Sequence, residues 1–186
     1  MRIPLTSIKK AVIETEISLY SAPEKGTVKQ RLTIAHRHGA IFHTAAVQAV
    51  GHTPIDVQDM EIDLLSASAH KFNGPKGVGF LYIRKGNPLI SFNDGGAQEF
   101  GMRAGTENVA AIVGMSDVLR KNCVSLAENE KYILSLEEAL LDRLNTSGLD
   151  YVRNGSENHI PGNISLSFKN TDGETLLHRL VNDYSK

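Results

Sequence analysis

Ile62-Asp63-Leu64-Leu65-Ser66-Ala67-Ser68-Ala69-His70-Lys71 runs directly into Phe72-Asn73-Gly74-Pro75-Lys76-Gly77-Val78-Gly79-Phe80-Leu81-Tyr82-Ile83. The first apolar run, the glycine-rich break and the second apolar run read as strand, turn and strand. Val78–Ile83 has no polar side chain to spare for solvent. It predicts a strand buried on both faces, in a sheet covered by helices. Lys71 leaves the first strand and enters the turn, which would hold it at a fixed point over a crevice. Partial desolvation there lowers a lysine pKa and frees the neutral amine, a nucleophile. Spacing alone favours the plainer alternative, a solvated loop lysine.

On the N-terminal side, Leu5–Ile13 has helical spacing at Leu5, Ile8 and Val12, and Ile17–Tyr20 reads as a strand closed by Pro23 and Gly26. Val28–His38 predicts a helix with Val28, Leu32 and Ala35 on one face and Gly39 at its C′ position. Ala40–His43 reads as a strand, and Val47–Val50 as a short apolar segment. On the C-terminal side, Leu89–Phe92 is a further strand candidate and 95–101 a loop. A helix begins near Glu107, anchored by Val109, Ile112, Val113 and Val118, with Thr106 as N-cap. A second runs from Leu126 to Leu144, stopped by Gly148. Strands near Tyr151 and over Ile164–Phe168 precede a helix from Asp172 or Gly173. Strands alternating with helices up to Phe92 imply an α/β, mostly parallel sheet; the remainder reads as a smaller α+β lobe.

The 186 residues suit one domain, or one with a small second lobe. Hydrophobic residues make up 41% and charged ones 22%, enough to bury a core. Twenty basic and 21 acidic residues leave a net charge of −1, so no footprint for nucleic acid arises. No apolar run reaches membrane-spanning length, and Met1-Arg2-Ile3-Pro4 does not begin a secretory signal. Cys123 is the one cysteine, which excludes an internal disulfide and suits a reducing, cytoplasmic setting. It reads as a small buried hydrophobe.

Several chemistries drop out. The Gly74–Gly79 region is followed by Phe80-Leu81, which excludes a Walker A loop, and Tyr82 stands where a dinucleotide fingerprint needs a third glycine. Among seven histidines, His36 and His38 point apart, while His43 and His52 lack a ligand pattern, so no metal is expected. There is no Gly-x-Ser-x-Gly elbow.

Three segments, in order, carry a family resemblance: Phe42-His43-Thr44-Ala45-Ala46-Val47-Gln48-Ala49-Val50-Gly51, Ser66–Gly79, and Gly95-Gly96-Ala97-Gln98-Glu99 to Arg103-Ala104-Gly105-Thr106-Glu107-Asn108. They resemble cysteine desulfurases, pyridoxal-phosphate enzymes of the class V aminotransferase, fold type I group. The resemblance covers nearly the whole chain and matches a central and early C-terminal portion of the family's longer proteins. It implies part of the cofactor-binding large domain over 1–124 and part of a small C-terminal domain over 125–186. By resemblance Lys71 is the catalytic Schiff-base lysine, which moves protons at the substrate α-carbon. Ser68 and His70 contact the cofactor phosphate, Thr106 reaches the partner subunit's phosphate, and Gln48 bonds the ring hydroxyl. The implied activity is sulfur mobilisation from L-cysteine, passed on for iron–sulfur assembly or thiolation.

The same resemblance marks departures. Ala45 stands where the family has the aspartate that pairs with the pyridine nitrogen, and Ala22-Pro23-Glu24-Lys25-Gly26-Thr27 lacks two asparagines of the family's Asn-Asn-Glu-x-Gly-Thr. The family's phosphate loop and ring-stacking histidine would lie before Met1. Its catalytic cysteine and substrate-carboxylate arginine would lie past Lys186, and Cys123 does not match that cysteine. The expectation is a truncated, impaired or inactive desulfurase. The alternative is a non-catalytic pseudoenzyme, or a dimerising or partner-binding module, of the same fold. Uncovered sheet edges and apolar faces predict a homodimer or higher oligomer. A sulfur acceptor or iron–sulfur scaffold protein is the other expected partner; no nucleic acid or membrane is expected.

Overall fold

A computed structural model of the chain describes residues 11–14, 25–155 and 159–184. The chain separates into two compact units, Met1–Leu126 and Ala127–Lys186. The expected strand at Ile17–Tyr20 lies outside the described residues, as do most of Leu5–Ile13 and the segment Ala22–Glu24. Where the expected first helix is described, it is a strand instead: β1, Ala11–Glu14, pairs with β2, Ile41–Ala45. Helical spacing over so few residues does not exclude a strand.

In the first unit, α1 spans Lys25–Arg37. Gly39 ends it at φ +65°, with Gly39 N–H bonding His36 O at 2.9 Å and Ala40 N–H bonding Ala35 O at 2.9 Å. This is a Schellman closure, whose left-handed C′ position favours glycine. The chain reverses straight into β2. β3 spans Leu64–Ser68 and β4 Gly79–Ile83, and the sheet order is β1-β2-β3-β4. The first three strands are parallel; β4 returns antiparallel to β3, with Ser68 opposite Gly79. That opposition needs glycine, because a Cβ at position 79 would stand 2.4 Å from Ala67 O.

One face of the sheet is well buried, through Phe42, Thr44, Leu65 and Ala67. Leu32 and Ala35 of α1 join Ile62, Ala46 and Ala49 in the same core. The other face, carrying His43, Ala45, Ser66 and Ser68, is only half-buried. The expectation that Val78–Ile83 is covered on both sides is therefore corrected. β4 is an edge strand, and Leu81 on it is exposed. Leu89–Phe92 forms no strand, and Ile90 and Phe92 face solvent.

Asp63 fastens the end of this sheet remote from Lys71. Its carboxylate accepts from Phe42 N–H at 2.9 Å and Asn87 Nδ2 at 3.3 Å, and meets His36 Nε2 at 2.7 Å. Burial pushes the carboxyl up, but the bonds from Phe42, His36 and Asn87 outweigh it and hold it below its ordinary value. A carboxyl lowered in the folded state contributes stability above about pH 4 and loses it as pH falls through the lowered value. Asp63→Asn is expected to lower stability near neutrality by about 1–3 kcal/mol and to flatten the acid limb. Urea unfolding midpoints across pH check this; an acid limb identical to wild type contradicts it.

α2 spans Val109–Val124 and is capped by Asn108, whose Oδ1 accepts Ala111 N–H at 3.2 Å. Thr106 is not the N-cap: the helix starts two residues later than that position requires. Val109 and Val113 are exposed rather than anchoring, as is Cys123, read from sequence as buried.

The second unit holds most of α3, Leu126–Thr146, with the antiparallel pair β5, Tyr151–Asn154, and β6, Ser165–Phe168. α4 spans Gly173–Tyr184 and is capped by Asp172, which accepts Thr175 N–H at 2.8 Å. Buried Glu137 on α3 accepts from Arg153 of β5 and Gly162 N–H, and meets His159 Nε2 at 2.8 Å. Burial raises the Glu137 carboxyl, and the His159 and Gly162 bonds with the His159 and Arg153 charges bring it below its ordinary value. This pairing lets α3 bury a carboxylate against the hairpin.

Candidate functional site

The parallel strands β2 and β3 end side by side, with Ala45 opposite Ser66 and Ala46 N–H bonded to Ser66 O at 2.9 Å. In open sheets of this kind ligands bind beyond the carboxyl ends of the strands. After β2 the chain makes two helical turns, with Val50 N–H on Ala46 O at 3.0 Å and Thr53 N–H on Ala49 O at 3.0 Å. They bury Ala46, Ala49 and Val50 and leave Gln48 half-exposed. After β3 the chain forms a single 3-10 turn, Ala69–Phe72, closed by Asn73 in the left-handed region at φ 69°. Ala69 and Phe72 point inward and are fully buried, which leaves His70 and Lys71 outside.

Three of the candidate residues are thereby brought together. Ser68 Oγ and His70 Nδ1 lie 2.9 Å apart, and Lys71 follows immediately. The Lys71 carbonyl oxygen is 2.9 Å from His52 Nε2, which ties this turn to the segment bearing Gln48. Lys71 itself is exposed, and the partial desolvation expected from sequence is absent: the turn stands at the rim of the sheet. Beneath, on the half-buried face, His43 Nε2 lies 3.2 Å from Ser66 Oγ. Burial pushes the His43 imidazole down from its ordinary value, which favours the neutral ring. Ala45 presents only a methyl group to this face.

Thr106 is not brought to Lys71. It lies exposed in the loop before α2, next to Gly105, whose N–H bonds Gln98 Oε1 at 3.2 Å. Among the described residues no three His, Cys, Asp or Glu side chains gather as a metal site, and no helix is long and apolar enough to cross a membrane. Sequence reasoning missed two residues that hold the Lys71 turn, His52 and Asn122. Both bond backbone carbonyls across long separations, and no side-chain pattern signals such a bond.

The arrangement offers one primary amine, a hydroxyl–imidazole pair and an amide on the turns that follow β2 and β3. That set can offer hydrogen-bond donors to an anion and present an amine to an electrophilic carbon. The family model described as "Aminotransferase class-V" matches residues 24–184. A cysteine desulfurase IscS of Dictyoglomus turgidum is 40% identical over 180 residues, covering 93% of this chain and 46% of that protein. A cysteine desulfurase IscS of Clostridium botulinum (strain Hall) is 38% identical over 184 residues, covering 94% and 46%. The solved structure of a NifS-like protein superposes with a TM-score of 0.83 at 33% identity, covering 94% of this chain and 48% of its own. The chain spans about half the length of the curated relatives it matches.

Proposed function

The chain belongs to the class-V aminotransferase family, a pyridoxal-phosphate-dependent group, and from that membership we propose that Lys71 anchors this cofactor in a site of the cysteine-desulfurase kind. The observation that supports it most is the grouping of Lys71 with Ser68 and His70 on the turn that ends β3, beside the turns after β2. The donor set suits the group at two ends. Ser68 and His70 offer hydroxyl and imidazole donors for a phosphate, and Lys71 offers the amine for an aldehyde. Position 45 does not suit it, because a methyl group supplies no anion to a pyridine nitrogen.

When bound, pyridoxal phosphate supplies a ring that draws electron density from the substrate α-carbon. In this reading Lys71 would hold the cofactor through its aldehyde, and its amine would be the group placed to move the proton at the substrate α-carbon. Ser68 and His70 would orient the phosphate, Gln48 would bond the ring hydroxyl, and Thr106 would reach the phosphate held by a second subunit. The substrate is L-cysteine, and the receiving partner is a sulfur acceptor or iron–sulfur scaffold protein in the cytoplasm. Ala45 leaves the ring nitrogen without a carboxylate, so turnover is impaired while the anchor remains. The second reading, a non-catalytic partner-binding module of this fold over the same two domains (1–124 and 125–186), is favoured by Ala45 alone.

Titration with pyridoxal phosphate, followed in the visible region, tests the proposal. A saturable band is expected, and its absence sinks the reading. Ala45→Asp is expected to tighten the apparent affinity about tenfold or more, since a hydrogen bond to a charged group contributes about 1.5–3 kcal/mol. An unchanged affinity would separate position 45 from the ring.

Self-association belongs to the same proposal. Phe92 and Phe100 are 98% and 96% exposed, and Val109 and Val113 of α2 are also open to solvent. Exposed apolar groups this large favour a protein interface. Light scattering is expected to report an oligomer; a stable monomer contradicts it.

A further inference from the structure

The turn that carries Lys71 is a single 3-10 turn, so its last carbonyls have no partner inside it. Two of them are nevertheless bonded, each by a side chain from a distant part of the sequence. His52 Nε2 lies 2.9 Å from Lys71 O, and Asn122 Nδ2 donates to Phe72 O at 2.9 Å. A carbonyl only accepts, so Nε2 of His52 carries the proton. His52 comes from the turns after β2, and Asn122 from the last part of α2.

Gly51 makes room for the Asn122 side of this contact and for Phe72. It sits at φ +81°, and a Cβ there would stand 3.0 Å from Phe72 Cβ and 3.3 Å from Asn122 Nδ2. The inner side of the turn is fixed as well. Ala69 O accepts from the N–H groups of Asn73 and Gly74, the latter at 2.8 Å. A Cβ on Gly74 would lie 2.9 Å from Ala69 Cβ, so backbone and core are in close contact at that point.

We propose that His52 and Asn122 form a two-sided carbonyl clamp that positions Lys71. Neither side chain bonds the lysine amine; they act through the backbone, by holding the two successive carbonyls at Lys71 and Phe72. With both oxygens held, the direction in which the Lys71 side chain leaves the turn is set before any ligand arrives. The ordering entropy is then met by folding instead of by binding. This inference rests on Lys71 as the cofactor anchor, while the clamp itself is a claim about local backbone order.

Hydrogen exchange of the Asn73 and Gly74 amides tests the clamp without any cofactor. His52→Phe and Asn122→Ala each remove a donor and are expected to speed exchange at these amides about tenfold. His52→Gln, which supplies an amide donor, is expected to restore protection. Reductive labelling with pyridoxal phosphate and borohydride gives the second readout. The share of label on Lys71 falls in the two donor-less variants and recovers in His52→Gln. Unchanged exchange in both donor-less variants overturns the proposal. So does exchange that rises equally through β2 and β3, because His52 and Asn122 would then be general stabilisers. If wild-type Lys71 takes no label while the exchange differences hold, the cofactor reading fails and the clamp stands.

Discussion

Lys71→Ala is expected to abolish the visible absorbance that the chain develops with pyridoxal phosphate, and to leave the fold intact. The side chain is exposed and anchors no part of the core, so its loss belongs with surface substitutions, within about 0.5 kcal/mol. The neighbouring Ser68–His70 pair and the turn's backbone bonds do not depend on it. Other lysines near the sheet, Lys76 and Lys85, are also exposed, but neither follows a hydroxyl–imidazole pair. Among the described residues, position 71 is where an amine shares one turn with a hydroxyl–imidazole pair that can donate to a phosphate. Equal urea midpoints with and without the lysine, together with loss of the band, would separate chemistry from folding. A band of undiminished strength in the variant would assign the absorbance to surface amines and end the cofactor reading.

Phe72→Ala is expected to be the most destabilising single change near the site. Phe72 is 0% exposed, and large-to-small changes of a buried phenylalanine destabilise by about 3–5 kcal/mol. Against a typical domain stability of about 5–15 kcal/mol, that is about three-tenths or more of the total in the less stable half of that range. The ring also anchors the turn beside Lys71, and its carbonyl is the one Asn122 holds. Stability and the Lys71-dependent band should therefore fall together. Urea unfolding of the variant checks the first; a loss below about 1 kcal/mol would mean the pocket collapses around the missing ring.

The parts legible from sequence were those written in local pattern. α1 with Gly39 behind it, β2 and β3 are short periodic segments with clear punctuation, and each formed within a few residues of expectation. Ser68, His70 and Lys71 fall within four consecutive positions, so any turn after β3 brings them together. The misses needed information from elsewhere in the chain. Val78–Ile83 is as apolar as a central strand, and only the antiparallel return places it at an edge with Leu81 open. Thr106 and Asn108 are both good caps two residues apart, and the backbone decides between them. His52 and Asn122 reach carbonyls 19 and 50 positions away.

The most direct test of Lys71 as the cofactor anchor is borohydride reduction of the chain with one equivalent of pyridoxal phosphate, followed by peptide mapping by mass spectrometry. The account predicts the added pyridoxyl mass on the peptide containing Lys71, well ahead of every other lysine. Label spread evenly over the surface lysines, or absent from Lys71, would contradict it.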